Sequence, residues 1–270
     1  MIIGITAAFA ALLALALGLA LGLFKEIFYV EEDPLKGRLR EVLPGANCGG
    51  CGFPGCDGYA AAVAGGEDIT RCTAGGKAVA DALAAIMGAA AVEVIPMVSV
   101  RCCLGGKDIA VPRGIYTGLP SCRGAKLTGG SKLCAYGCVG FGDCVKVCKF
   151  GALTLGEDLL PHVDRAKCTG CKVCVAECPQ GILRVIPRDK QLTITLCSNR
   201  NPVRAAIRKT CRVGCIKCGI CVKNCPEQCI VLDNGIPAID YARCTNCGTC
   251  ESKCPTHVIE VVGGEAHPST

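Results

Sequence analysis

An α+β chain is predicted, with a single N-terminal transmembrane helix, a small helical cysteine-bearing domain and two tandem copies of a compact cysteine-rich unit. Three observations carry this. The first 24 residues bear no charge, 26 of the 270 residues are cysteine, and the cysteine runs repeat within the second half of the chain. With no Trp and only 4% aromatic residues, large aromatic cores are excluded.

The stretch MIIGITAAFAALLALALGLALGLF, followed by Lys25, is long enough to cross a bilayer as a helix, assigned to residues 1–26. Lys25, Lys36, Arg38 and Arg40 follow it, so the positive-inside tendency puts the short N-terminus outside and the rest in the cytoplasm. A cleaved signal peptide would need a charged leader and a shorter apolar run. A reducing compartment also suits free thiols.

Cysteine at this density can signal a disulfide scaffold in a short secreted chain. Neighbours in tight C-x2-C-x2-C runs, however, pair poorly with one another and converge readily on one inorganic core. Structural zinc needs separated C-x2-C pairs or Cys with His; His162, His257 and His267 stand in no such spacing. Iron–sulfur chemistry is the remaining reading.

Residues 33–90 form the N-terminal cluster domain. Cys48, Cys51, Cys56 and Cys72 make one four-thiolate set, and Gly49, Gly50, Gly52, Gly55 and Gly58 let the backbone wrap closely around it. Helices are expected at Gly58–Ala64 and Lys77–Ala91, and a strand at Val92–Val100. Residues 91–133 read as a connecting segment with extra cysteines.

Two ferredoxin-type units follow, at 134–186 and 187–262. Cys144 matches Cys221, Cys148 matches Cys225, and Cys168, Cys171, Cys174 and Cys178 match Cys244, Cys247, Cys250 and Cys254. In a bacterial two-cluster ferredoxin, three thiolates of C-x2-C-x2-C-x3-C hold one 4Fe-4S cluster and the fourth crosses to the other. Unit two then assigns Cys215, Cys218, Cys221 and Cys254 to one cluster, and Cys225, Cys244, Cys247 and Cys250 to the other. Alternating residues around Asn234-Gly235 predict a tight hairpin.

Unit one gives Cys148, Cys168, Cys171 and Cys174 one cluster, but Cys138, Cys144 and Cys178 lack a fourth ligand, because Phe141 stands opposite Cys218. Seven cysteines are left over: Cys102, Cys103, Cys122, Cys134, Cys197, Cys211 and Cys229. Cys134, four residues from Cys138, is favoured for the vacancy, and Cys102, Cys122, Cys197 and Cys211 for a sixth cluster. The exchange of Cys134 with Cys102 stands beside this, as does the reading in which several of the seven are merely buried small apolar residues. The count is at least five clusters and, on this preference, six. Cys229 faces Ala152 in the repeat and is expected to be no ligand.

C-x2-C-x4-C-x15-C after one membrane helix, followed by duplicated ferredoxin units, resembles the B subunit of the Rnf ion-translocating ferredoxin:NAD oxidoreductase complex, in its long multi-cluster form. The resemblance implies a relay that takes electrons from soluble ferredoxin and passes them to membrane and peripheral partner subunits, with flavin and NAD chemistry elsewhere. The chain itself shows no substrate chemistry. No G-x-G-x-x-G or P-loop spacing is present, no DNA-binding helix pair is visible, and one helix is too little to conduct ions. A membrane-tethered polyferredoxin serving other enzymes, or an iron–sulfur sensor, are the competing classes. The formal charge of +6 falls to about −6 with six dianionic clusters, so an acidic ferredoxin needs a local basic patch. Arg204, Arg208 and Arg212 would line one face of a helix after Pro202.

Overall fold

The computed structural model describes residues 2–28, 33–90, 93–188 and 190–262. Helix α1 (Ile2–Ile27) runs unbroken. Its Gly4–Ile27 stretch has a mean hydropathy of 2.4 and buries nothing against the rest of the chain. At 1.5 Å per residue it is about 36 Å long, enough to cross a bilayer.

Three helices build the N-terminal domain: α2 (Pro34–Val42), α3 (Cys56–Ala64) and α4 (Gly76–Met87). Asp33 caps α2 by accepting the Leu35 amide at 2.9 Å, with Pro34 at the first helical position, where it costs no hydrogen bond. Gly88 closes α4 in the left-handed conformation, at φ 66°. Leu39, Tyr59, Val63 and Leu83 are fully buried between the helices, each contributing about 1.5–3 kcal/mol. The Tyr59 hydroxyl donates to the Asp68 carbonyl at 2.8 Å, so its burial leaves no polar group unpaired. The helix expected to reach Ala91 stops at Met87, where Gly88 turns left-handed, and the strand expected from Val92 begins only at Met97; Ala91 and Val92 themselves lie outside the described residues.

The first unit comprises β1 (Met97–Arg101), α5 (Cys122–Leu127), α6 (Asp143–Lys146), β2 (Leu153–Leu155), β3 (Pro161–Val163), α7 (Val173–Glu177) and β4 (Leu183–Pro187). The second comprises β5 (Leu192–Thr195), α8 (Arg204–Thr210), α9 (Ile220–Lys223), β6 (Ile230–Asp233), β7 (Ile236–Ile239), α10 (Thr249–Ser252) and β8 (Ile259–Val262). In each, the first and last strands pair antiparallel, β1 with β4 and β5 with β8, and an inner hairpin pairs β2 with β3 or β6 with β7. The second hairpin turns at Asn234-Gly235 with φ of 48° and 76°, the doubly left-handed turn that this dipeptide favours.

The pairing of β1 with β4 corrects the expected boundary at residue 134. Met97–Arg101 is the edge strand of the first unit, and 102–133 is an insertion within it rather than a connection before it. A second correction concerns the basic face: α8 ends at Thr210, Cys211 is extended, and the Arg212 guanidinium turns to the Asp108 carbonyl. Arg204 and Arg208 remain exposed on the helix.

Helices of four or five residues cannot persist alone. Each of α6, α7, α9 and α10 starts from a left-handed residue, Gly142, Lys172, Gly219 and Gly248, and each buries one thiol: Cys144, Cys174, Cys221 and Cys250. They are held by what those thiols face. Gly50 of the N-terminal domain abuts unit one so closely that a Cβ there would come within 2.5 Å of the Cys171 carbonyl oxygen. Gly50→Ala is therefore expected to keep the iron of both parts while loosening their contact. Limited proteolysis between Gly88 and Pro96 should become faster than in wild type; unchanged cleavage would show that the contact yields without separating.

Candidate metal centres

All 26 cysteines are free thiols. Four cavities of nearly equal size are each ringed by four of them. Site A, of about 360 Å3, is lined by Cys48, Cys51, Cys56 and Cys72 with Gly49, Gly50 and Gly55. The Asn47 side chain accepts the Cys56 amide at 2.8 Å and so sets where α3 begins. Site C, also of about 360 Å3, is lined by Cys122, Cys138, Cys144 and Cys178. Site D, of about 370 Å3, has Cys103, Cys134, Cys197 and Cys211. Site E, of about 340 Å3, has Cys215, Cys218, Cys221 and Cys254.

Two further groups complete the units. Cys174 lies within electrostatic reach of Cys171, Cys168 and Cys148, which defines site B. Cys250 feels Cys244, Cys225 packs in the same core, and Cys247 lies in the same loop, forming site F. Cys247 is the exposed member, and the Thr249 hydroxyl 3.4 Å from its sulfur lowers its pKa.

The vacancy left by Phe141 is where structure and expectation part. Cys122, not Cys134 or Cys102, lines the cavity with Cys138, Cys144 and Cys178. The Phe141 ring meets Tyr116 edge-on at 5.3 Å and packs with Cys122, Ala125 and Val139, so it anchors the segment that carries the substitute thiol. Asp143, buried in unit one, accepts the Cys122 amide at 2.6 Å. Ile220 is its counterpart in unit two, where the Cys218 thiol needs no such arm. The set proposed from sequence for a sixth cluster is likewise corrected: Cys197 and Cys211 meet Cys103 and Cys134, while Cys102 packs among Val98, Val100 and Leu196. Adjacent residues at the end of β1 point to opposite sides, so only one of the Cys102-Cys103 pair can face the cavity. Sequence reasoning passed over Cys103, Asp143 and Phe141's anchoring role. Aligning MVSVRCC with QLTITLC, which sets Cys103 against Cys197, is the signal that finds Cys103.

Burial pushes the thiols of Cys138 and Cys144 up to about 12 and those of Cys197, Cys221 and Cys250 to about 11. Without metal these groups hold their protons at neutral pH, and metal binding releases them. Amides already point at sulfur: Ala152 N to Cys148 Sγ and Ser99 N to Cys168 Sγ, both at 3.3 Å. Among the described residues no three Cys, His, Asp or Glu side chains converge tightly enough for a single ion. All-thiolate rings, glycine walls and N–H groups aimed at sulfur instead fit 4Fe-4S cores.

The sites adjoin one another. Cys171 of B lies beside Gly50 and feels Cys48 of A; Cys250 of F feels Cys221 of E. Burial and the Cys225 sulfur 3.5 Å away push Cys229 up to about 12; it is a fifth thiol beside F.

A family described as a putative Fe-S cluster matches residues 43–74, and one described as a 4Fe-4S dicluster domain matches residues 134–182 and 214–258. The B subunit of the Na(+)-translocating ferredoxin:NAD(+) oxidoreductase complex of Acetobacterium woodii is 44% identical over 229 residues, 84% of this chain and 68% of that protein. Its counterpart from the proton-translocating complex of Clostridium ljungdahlii is 40% identical, over 85% of this chain and 81% of its own. The B subunit of the ion-translocating oxidoreductase complex of Methanosarcina acetivorans is 38% identical, over 84% and 86%.

Because Ala152 occupies the place of Cys229 in unit one, Cys229→Ala is expected to leave the iron content at the wild-type level. Anaerobic iron and sulfide analysis checks this; loss of about four iron per chain would make Cys229 a ligand.

Proposed function

The chain belongs to the B-subunit family of Rnf ion-translocating ferredoxin:NAD(+) oxidoreductase complexes, and from that premise we propose that it accepts electrons from reduced ferredoxin and relays them through 4Fe-4S clusters toward the membrane subunits. The chain contributes no substrate chemistry of its own. What it supplies is a set of thiolates that hold one-electron carriers within reach of each other. The observation that carries the reading is the adjacency of four-thiol sites, with A against B through Gly50 and Cys171, and E against F through Cys221 and Cys250.

The ligand sets proposed are Cys48, Cys51, Cys56 and Cys72 for A; Cys148, Cys168, Cys171 and Cys174 for B; Cys122, Cys138, Cys144 and Cys178 for C; Cys215, Cys218, Cys221 and Cys254 for E; and Cys225, Cys244, Cys247 and Cys250 for F. Five clusters follow. Helix α1 anchors the chain in the membrane, and Lys25, Lys36, Arg38 and Arg40 favour a cytoplasmic position for everything after it. The exposed Arg204 and Arg208, which form no ion pair among the described residues, offer an acidic ferredoxin a basic approach.

Three measurements test this. The full chain should co-purify in mild detergent with several polytopic membrane proteins, which a polyferredoxin serving soluble enzymes would not. Cys122→Ala should lose about four iron, and Phe141→Cys in that background should restore them, since it recreates the run found in unit two; an unrescued double variant would sink the assignment of Cys122. Arg204→Glu/Arg208→Glu should slow ferredoxin-driven reduction in stopped flow at low ionic strength and much less at high. Equal rates at low salt with intact iron would remove this patch from the docking site.

A further inference from the structure

The two units match beyond their cysteine runs. Leu183 and Ile259 each stand five residues after a crossing cysteine, Cys178 or Cys254, and pair with Arg101 and Thr195. One residue on, the Cys102 amide donates to the Ile182 carbonyl at 2.6 Å and the Leu196 amide to the Val258 carbonyl at 2.6 Å. Cys102 is therefore the equivalent of Leu196, a core position, and Cys103 is the equivalent of Cys197. Cys134 and Cys211 are equivalent as well: the Gly137 and Gly214 amides donate to their respective carbonyls, both at 3.4 Å. Each unit thus presents the same pair of thiols to the junction.

We propose that Cys103, Cys134, Cys197 and Cys211 hold a sixth 4Fe-4S cluster, built half from each unit, that joins the electron path of the first unit to that of the second. The inference rests on the relay reading above and deepens it. The cavity has the size of those at A, C and E, and all four sulfurs line it with Gly105, Gly137 and Gly214. A Cβ on Gly105 would sit 3.4 Å from the Cys211 sulfur and 3.7 Å from that of Cys103.

Charge points the same way. Lys132 is only 6% exposed, and its ammonium donates to the Gly105 carbonyl at 2.8 Å with no carboxylate paired to it among the described residues. A buried unpaired ammonium is costly. Four thiolates around a core of charge 2+ leave a net charge of about −2, which is the counter-charge this lysine lacks. Asn199, also buried, lies with its amide nitrogen 3.5 Å from the Cys134 sulfur.

The site is also wired to both neighbours. The Cys138 amide of site C donates to Cys103 Sγ at 3.4 Å, and its equivalent, the Cys215 amide of site E, donates to Cys197 Sγ at 3.3 Å. One electron at a time can be exchanged with either side, with no bond made or broken. Cys103, Cys197 and Cys211 fall outside every stretch matched by a family, so nothing in those matches supplies this site.

Anaerobic iron and sulfide analysis of the full chain in detergent tests the proposal. Wild type should hold about 24 iron, Cys103→Ala/Cys211→Ala about 20, and Cys102→Ala about 24. EPR of the partly reduced protein should show magnetic interaction between the two units in wild type and not in the double variant. About 20 iron in wild type, or an undiminished double variant, overturns the sixth cluster while leaving the relay reading intact; a chain without iron overturns both. If the double variant loses more than four iron, Cys134→Ser decides: it should alter the EPR signature of one cluster, Cys102→Ser none, and identical spectra overturn the proposal.

Discussion

Sulfur must face sulfur across a cavity, and most of this molecule follows from that constraint. The two units have strands of three to five residues and helices of four to seven around their thiols, elements too short to hold themselves by backbone hydrogen bonding. Apolar packing contributes at Val98, Ile182, Leu183, Ile207 and Val258, all buried, but many members of the same cores are cysteines of the proposed sites. The hydrophobic interior and the metal sites are one interior. Removing a cluster would take away both the counterpart of four ligands and the filling of a core.

Anionic clusters in an interior need compensation, and among the described residues the chain provides it without buried carboxylate–ammonium pairs. Amides aimed at sulfur supply part of it, as at Ala152, Ser99, Cys138 and Cys215. Lys132 and Lys217, the two buried lysines among the described residues, sit beside sites D and E and supply another part. Burial pushes up the metal-free thiols of Cys138, Cys144, Cys197, Cys221 and Cys250, so these keep their protons until iron arrives and displaces them.

Much of this was legible from the residues alone. Spacing identified sites A, B, E and F as groups, because their ligands lie within single runs or cross between two matched runs. Asn234-Gly235 marked its hairpin, and the uncharged N-terminal stretch its helix. What spacing could not convey was which far-apart thiols meet. Cys122 reaches Cys138 through an aromatic contact with Phe141 and a carboxylate at Asp143, and proximity in sequence wrongly favoured Cys134. Cys103 was passed over for Cys102 because the choice between neighbours depends on strand register, which the pairing of β1 with β4 fixes.

The short distance between α1 and α2 has a mechanical consequence. From Phe28 to Asp33 the backbone can extend by at most about 17 Å, so the domain carrying site A is on a leash anchored at the bilayer surface. It can swivel, but it cannot travel far from the membrane. On the proposed relay, long-range traffic therefore falls to a diffusing carrier, and the end of the row of sites that is tied to the lipid is the one suited to discharge.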